Sequence, residues 1–374
     1  MPIFMDRHDI PGATAQSVAM AHQKDVAIQG RYGCRALTYW YDQERGAAFC
    51  LIEAPSQNAV AEMHRNAHGL VPNKIISVDK ALVEGFLGRI TDPVAAEAGV
   101  TLPVIAEPAF RTVLTARAHA GPVAALRYGE AVAAELLEEF RNYLARSTSG
   151  HAGSLVRSTS SEITASFFQA SEALDCAVEV TRALSAPNVR EGLPDLELGI
   201  GIAAGQPVGS ESTLFRKVID TAANLCSVSR KRRTLVSSAV RTEATRDQLL
   251  SVMDSGAAKV LTAREEQFLE KLMAAMRAAI SDEDFRIEAL DSSLGSSRSQ
   301  VFRNTHSITG FSPNELLREI RLASALCRLE RGEGTVSEIA YDCGFASPAY
   351  FSRCYVDRYR VRPSAHLEWI HLHA

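Results

Sequence analysis

The stretch from Ile339 to Pro363 constrains the fold of this chain more than any other. Ile339 and Ala340 are apolar and small, as a short helix needs for close packing. Gly344 stands where that helix must stop and turn, because glycine takes a positive φ without a Cβ penalty. Ser347 can cap a second helix, and Pro348 suits its first position. Tyr350, Phe351 and Tyr355 give that helix an apolar face, with Arg353, Arg358 and Arg360 directed elsewhere. A short helix, a glycine turn and a capped helix with a cationic side make the pattern of a helix-turn-helix.

A looser unit of the same kind precedes it. Thr262-Ala263-Arg264-Glu265 is a capping box, threonine followed three residues later by glutamate, and it starts a helix reaching to about Ile280. Phe285 to Leu290 begins a shorter unit with Ala289 and Leu290 on its buried side. Ser296 to Arg303 then reads as a capped helix ending before Thr309-Gly310, and Asn314 to Arg331 as a connecting helix. A connecting helix of about 18 residues spans roughly 27 Å at 1.5 Å per residue. That length suits two readers in successive major-groove segments, about 34 Å apart. From Phe285 onward there are 11 arginines, no lysines and 10 acidic residues, so any positive field is local.

Ile339-Ala340, Gly344-Phe345, Tyr350-Phe351-Ser352-Arg353 and Arg362-Pro363-Ser364 resemble the second helix-turn-helix of AraC/XylS-type transcription regulators. The unit ending in Phe311-Ser312-Pro313 is similar to the first. Arg360 stands where that family usually has glycine, Tyr355 replaces a usual Phe, and Asn304 and Thr305 occupy positions that often hold an apolar residue. The resemblance implies groove-facing side chains at Arg298, Ser299, Phe302 and Arg303 in the first reader and at Pro348, Ala349 and Arg353 in the second. Ser352 and Arg358 are candidates for phosphate contact. Pro348 and Ala349 have no side-chain donor, so the second reader would rely on methyl contacts, Arg353 and phosphates. Arg318 and Arg328, on the connecting helix, read instead as surface salt-bridge partners.

A chain of 374 residues with 46% hydrophobic residues and a net charge of −4 is expected to hold two or three cored domains. Its seven cysteines show no CxxC spacing and read as reduced, buried thiols in a cytoplasmic protein. No signal peptide or bilayer-spanning apolar run is visible, so no membrane partner is expected.

In the first region, strand-like runs at Pro2 to Met5, Ala36 to Trp40, Ala47 to Ile52 and Lys74 to Val78 alternate with helical spacing at Ala13 to Gly30 and Gln57 to Gly69. The order is β-α-β-β-α-β, the ferredoxin-like split unit. His64 and His68 lie one turn apart, with His8 just past the first strand, and imidazoles in that arrangement can chelate a transition metal. Met5-Asp6-Arg7-His8, Tyr39-Trp40-Tyr41, Phe49 to Pro55 and His64 to Leu70 resemble a small family described as nickel-binding-like. That likeness implies His8, His64 and His68 as ligands for Ni or Zn. A ferredoxin-like dimerisation module, whose exposed sheet face pairs with its copy, is the alternative.

The second region begins after a connector from Thr91 to Pro108. Ala165-Ser166-Phe167, Leu198 to Val208, Ile219 to Cys226 and Leu235-Val236-Ser237 resemble a class III nucleotide cyclase catalytic domain. Such enzymes hold two metal ions on two aspartates, but Ala116 and Ser161 stand at those positions. The usual Asn and Arg of the later helix correspond to Asp220 and Asn224. The expectation is a degenerate cyclase-like fold without catalysis, kept for dimerisation or ligand binding. The run Ser229-Arg230-Lys231-Arg232-Arg233 reads as a solvated loop, with phosphate binding as its alternative.

The expected architecture is therefore multidomain, α+β then all-α. Two ferredoxin-like α+β sensor domains, at 1–91 (nickel-binding-like) and 104–246 (cyclase-like), precede a helical double helix-turn-helix domain at 257–374. The expected function is transcription regulation at a double-stranded DNA operator, controlled by a metal or small-molecule effector. A homodimer is expected, with RNA polymerase as a further partner. A nucleotide-using enzyme with an appended DNA-binding domain and a metal carrier are the alternatives.

Overall fold

The computed structural model describes residues 1–93, 104–119, 121–185, 197–209, 211–229, 233–254, 256–285, 287 and 294–373. The centre of the 229–233 basic run, most of the 91–108 connector and the Ala289-Leu290 pair lie outside the described residues.

The chain begins with β1 (Ile3–Asp9), α1 (Ala15–Ile28), β2 (Arg35–Asp42), β3 (Ala47–Glu53), α2 (Gln57–Ala67) and β4 (Lys74–Val78). Thr14 and Ser56 start the two helices by accepting from backbone N–H groups three residues on. The sheet order is β2-β3-β1-β4, antiparallel throughout, which is the ferredoxin-like arrangement.

Side chains alternate across a strand, and both faces of this sheet are covered. Phe4, Tyr39, Tyr41, Cys50 and Ile52 lie in a core with Val18 of α1 and Val60 and Met63 of α2. Met5, Trp40, Phe49 and Leu51 face the other way, into a core shared with Val113, Ala203, Phe215 and Val218. An exposed sheet face open to a second copy is thereby corrected, because apolar residues of the same chain bury it. The alternation shows that a face is apolar; it does not show what covers it. Helix α3 (Lys80–Leu87) continues this seam, with Phe86 and Phe215 ring centroids 4.6 Å apart.

The second region runs β5 (Arg111–Ala118), α4 (Ala124–Tyr128), α5 (Glu130–Gly150), β6 (Ser154–Ser158), β7 (Glu162–Phe167), α6 (Ala170–Ser185), β8 (Leu198–Gly205), α7 (Arg216–Val228), β9 (Thr234–Val236), α8 (Ser238–Glu243), α9 (Arg246–Asp254) and β10 (Ala258–Val260). The strand order β10-β9-β8-β5-β7-β6 contains the first sheet's order in β8-β5-β7-β6, extended by two parallel strands. At Gly201 a Cβ would overlap Ala222 O and Cys226 N of α7, so glycine lets that helix lie directly on β8. Strand β10 lies beyond residue 246. A three-residue run such as Ala258-Lys259-Val260 carries too little alternation to be read as a strand.

The rest is helical: α10 (Ala263–Ala278), α11 (Arg298–Thr309), α12 (Pro313–Glu330), α13 (Val336–Asp342), α14 (Pro348–Tyr359) and α15 (Pro363–His373). Capping boxes start α10, α11, α12 and α13, at Thr262/Glu265, Ser297/Gln300, Ser312/Glu315 and Thr335/Glu338. Val301, Ile308, Leu316 and Leu317 pack with Leu269, Leu272 and Met276 of α10. Leu322, Leu326, Ile339, Ala340, Phe351 and Tyr355 form a separate core. Among the described residues, no helix is long and apolar enough to cross a membrane.

Candidate nucleic-acid interface and a buried histidine cluster

The second helix-turn-helix forms as the sequence indicates. Helix α13 ends at Asp342 with Cys343 as its cap, and Gly344 turns the chain at φ 71°. A Cβ on Gly344 would overlap Ile280 O and crowd the Arg321 guanidinium, so both the angle and the space select glycine. Ser347 accepts from the Tyr350 N–H at 3.2 Å, and Pro348 opens α14. Phe351, Tyr355 and Tyr359 face inward, the Tyr355 hydroxyl 2.8 Å from His366 Nδ1. Outward stand Ala349 and Arg353, exposed, and Pro348 and Ser352, half-buried. The Arg353 guanidinium lies 5.8 Å from the Tyr350 ring centroid, a loose cation–π contact that leaves its donors available.

In the first unit, Arg298, Ser299, Phe302 and Arg303 of α11 are all exposed. Phe302 is 51% exposed and stacks on His306 one turn away, an apolar surface with no cover among the described residues. Thr305 fills an apolar position, fully buried, and its hydroxyl donates to Val301 O at 2.7 Å. The helix thus satisfies a polar atom within its own backbone, and the departure at this position leaves no orphaned donor.

Arg358 is placed differently from the other reader residues. Its Nε donates to Glu319 Oε2 at 2.8 Å and its Nη1 to Glu197 Oε2 at 2.6 Å, and its side chain is 14% exposed. Two carboxylates, one from α12 and one ahead of β8, hold the guanidinium toward the middle region instead of leaving it for phosphate. Arg328 pairs with Asp342 and Glu333, the salt-bridge role expected on the connecting helix.

The three sequence-identified histidines also come together. His8 and His64 ring centroids are 4.9 Å apart, and those of His64 and His68 5.2 Å. Sequence reasoning missed their partners. Buried Asp6, on the same face of β1 as His8, accepts at 2.7 Å from His64 Nε2. Asp25 of α1 lies 3.1 Å from His64 Nδ1 and 3.2 Å from His68 Nε2. The i, i+2 spacing of Asp6 and His8 was the available signal, whereas Asp25 meets α2 only through tertiary packing. Burial opposes charge on His64, but Asp6 and Asp25 outweigh it and push its pKa up to about 10. Burial would raise the Asp6 carboxyl, yet His8 and His64 hold it well below the usual carboxylate range. Burial pushes the Cys50 thiol well up.

Two ligand groupings result: Asp6, His8, Cys50 and His64, and Asp25, His64 and His68, with the ligand atoms of each within 4.8 Å of one another. This mixed imidazole, carboxylate and thiol set suits a first-row transition ion. Both His64 nitrogens face carboxylates, so an ion must replace a proton there, with Asp25 left to orient the ring. A cavity of about 100 Å³, lined by His8, His22, Asp25, Tyr39, Cys50 and His68 among others, adjoins the cluster.

In the middle region, Ala116 is buried in β5 and Ser161 lies before β7. Glu162, beside Ser161, is ion-paired with Arg117 and Arg157.

Comparison with known proteins agrees with this layout. Residues 292–368 match a family described as helix-turn-helix domain. The activator RhaS of Mannheimia succiniciproducens, described as an HTH-type transcriptional activator, is 39% identical over 63 residues, 17% of this chain and 24% of that protein. The C-terminal region is an AraC-type helix-turn-helix domain. Histidine kinase P4 of Formosa agariphila is 37% identical over 100 residues, 27% of this chain and 7% of that protein. The chain thus spans less than a third of the length of these curated relatives. Residues 4–78 match the family described as nickel responsive protein SCO4226-like. The guanylyl cyclase Cya2 superposes with a TM-score of 0.32 at 21% identity, over 36% of this chain and 78% of that one. Beside its AraC-type domain the chain therefore carries an SCO4226-like N-terminal domain.

Proposed function

We propose that this protein is a sequence-specific, double-stranded-DNA-binding transcription regulator of the cytoplasm, whose grip on its operator is set by a ligand held in the N-terminal regions. The observation that carries this reading is the pair of capped helices α11 and α14, with exposed Arg298, Phe302, Arg303 and Arg353, joined through α12. Helix α12 has 18 residues, or about 27 Å at 1.5 Å per residue. That is close to the separation of two major-groove segments on one face of a duplex. Three regions, 1–91, 104–246 and 257–374, divide the work, the last reading DNA. A homodimer would double the site, and RNA polymerase is the natural further partner at a promoter.

Selection of bound fragments from random and genomic duplexes by the full chain tests the reading. A two-part enriched sequence is the expected result. Retention of all fragments with one salt-sensitive affinity would reject sequence-specific binding.

The middle region carries out no cyclase chemistry in this reading. With Ala116 and Ser161 at the metal-carboxylate positions, and Glu162 committed to two arginines, the described residues supply no pair of free carboxylates there. Cyclic product from ATP or GTP with Mn²⁺ would overturn this.

A second reading concerns the effector. The Asp6, His8, Cys50 and His64 grouping favours a transition ion, Ni or Zn, as the signal. Bound, such an ion would supply a strong local positive charge between β1, β3 and α2. Asp6, His8, His64 and Cys50 would hold it, and Asp25 would fix the His64 ring. His68, paired with Asp25, would serve the same cluster. Titration of chelator-treated protein with Ni²⁺ or Zn²⁺, read by calorimetry and by metal analysis after dialysis, is the test. No retained ion and no binding heat would end the metal reading and leave the DNA-binding one intact.

A further inference from the structure

One cleft in the described structure lies apart from the histidine cluster and from the exposed reader side chains Arg298, Arg303 and Arg353. It has a volume of about 760 Å³ and lies between the middle region and the AraC-type domain. That volume falls within the range of small-molecule sites.

Its lining is of two kinds. The polar part includes Arg117 at the end of β5, Arg157 on β6 and Arg277 near the end of α10, with Thr159 and Ser161 between the strands. The apolar part comes from Met273 and Ile280 and from Leu316, Ile320, Ala323 and Leu326 of α12, the helix that also brings Glu319, Ser324 and Glu330 to the cleft.

Arg117 and Arg157 share one carboxylate, Glu162, with Arg157 Nη2 at 2.8 Å from Glu162 Oε1. Arg277 donates at 2.6 Å to Asn224 Oδ1, a neutral amide oxygen, and the nearby Asp220 carboxylate is already paired with Arg216. Four guanidiniums thus share two carboxylates. Of the other acidic groups lining the cleft, Glu319 is paired with Arg358, and Glu330 has Arg331 close by. A cavity lined by guanidiniums that share their carboxylates, and by aliphatic carbon, matches a molecule with an acidic group at one end and an apolar body.

We infer that this interdomain cleft binds an organic anion, its carboxylate, sulfonate or phosphate held by Arg157 and Arg277 and its apolar body against α10 and α12. The site rests on the ligand-controlled reading only for its consequence. Because α12 joins both readers and carries the Glu319 partner of Arg358, an occupant presses on the same helix that sets reader spacing. The binding itself does not depend on DNA.

The test uses the full chain and two fluorescent probes of like shape. One is 1-anilinonaphthalene-8-sulfonate, and the other is N-phenyl-1-naphthylamine, which lacks the acid. Expected are one sulfonate bound per chain and at least tenfold tighter binding of the sulfonate than of the neutral probe. That preference should collapse in Arg157→Gln/Arg277→Gln and persist in Arg264→Gln, on the exposed first turn of α10. Unchanged melting temperatures would show that the double variant folds. If it does not fold, Arg277→Lys, which keeps the charge and should keep the preference, replaces it against Arg277→Gln. Equal affinity for both probes, or a preference indifferent to the arginines, overturns the site. A duplex-binding titration with and without the sulfonate is the separate arm. An arginine-dependent site that leaves DNA affinity unchanged supports the cleft and removes ligand control through it.

Discussion

Arg358 Nη1 lies 2.6 Å from Glu197 Oε2, tying the last turn of the second reader helix to the segment ahead of β8 in the middle region. An arginine placed by its sequence position for DNA phosphate is instead held by two carboxylates, with Glu319 at 2.8 Å. If Arg358 can also reach a DNA phosphate, as proposed for its position, Glu197 and the duplex compete for one side chain.

That competition gives a first expectation. Glu197→Gln removes one charge from the pair but keeps the shape. Glu197 is 35% exposed, so solvent screening limits the effect to roughly 1 kcal/mol or less. DNA affinity should rise about two- to fivefold, and the slope of log affinity against log salt should steepen by about one phosphate contact. Fluorescence anisotropy across a salt series reads both. A variant with wild-type affinity and slope would mean that the ion pair does not restrain the reader.

The readers themselves are separable. Arg303→Ala and Arg353→Ala should each weaken binding to a selected site by about 1–3 kcal/mol and relax discrimination at a few base pairs. Arg331→Ala is the control, since Arg331 is exposed at the end of α12 with Glu333 at 3.5 Å. Competition assays with single-base-pair site variants assign each arginine its position. Equal losses on specific and random DNA would demote that arginine to a phosphate contact.

Much of this was legible in the sequence, for physical reasons. Caps, glycine turns and apolar spacing are local, so α13, Gly344, Ser347 and α14 could be read directly. The β-α-β-β-α-β order of the first region followed from alternation. Contacts between distant segments could not be read. Nothing near Asp25 announces His64, 39 positions away in sequence, and nothing near Arg358 announces Glu197. The same holds for the sheet face of Trp40 and Leu51, whose apolar pattern is silent about whether a second copy or the same chain buries it. Strand β10 was missed because three residues carry no periodicity.

The histidine cluster makes a pH-dependent contribution whose sign is fixed by its shifts. His64 is raised from 6.5 to about 10, so in metal-free protein its stabilisation is complete below about pH 6.5 and is lost as pH rises through 10. Asp6 and Asp25 are lowered from 3.8, so theirs is present above about pH 4 and lost as pH falls through their folded values. Chelator-treated protein should therefore melt highest between about pH 4 and 6.5 as far as this cluster decides it. His64→Asn removes the charged partner that buried Asp6 and Asp25 share, at a cost of roughly 3–5 kcal/mol. It should also flatten the alkaline limb of the melting profile between pH 7 and 10. An alkaline limb identical to wild type would show that His64 is not the titrating group.

Gly344 and Arg360 offer a paired test of the second helix-turn-helix, because both adopt left-handed backbone and only one is glycine. Arg360 caps the end of α14 at φ 62°, its N–H donating to Val356 O at 2.8 Å. A non-glycine residue there costs about 1–2 kcal/mol in backbone sterics, partly offset by the smaller chain entropy it loses on folding. Arg360→Gly should therefore stabilise the domain by about 0.5–1 kcal/mol, a rise of a few degrees in melting temperature. Its side chain is exposed and makes no ion pair among the described residues, so little else is lost. Gly344→Ala changes the other half of the turn. It adds the same backbone penalty and drives a methyl into Ile280 O and the Arg321 guanidinium, in a place where backbone cannot yield cheaply. A loss of about 2–4 kcal/mol is expected, the scale of other strained or overpacked sites. Thermal unfolding followed by circular dichroism compares the two. Shifts of the same sign would contradict this account of the turn, since the two positions share their backbone conformation and differ in the residue that nature placed there.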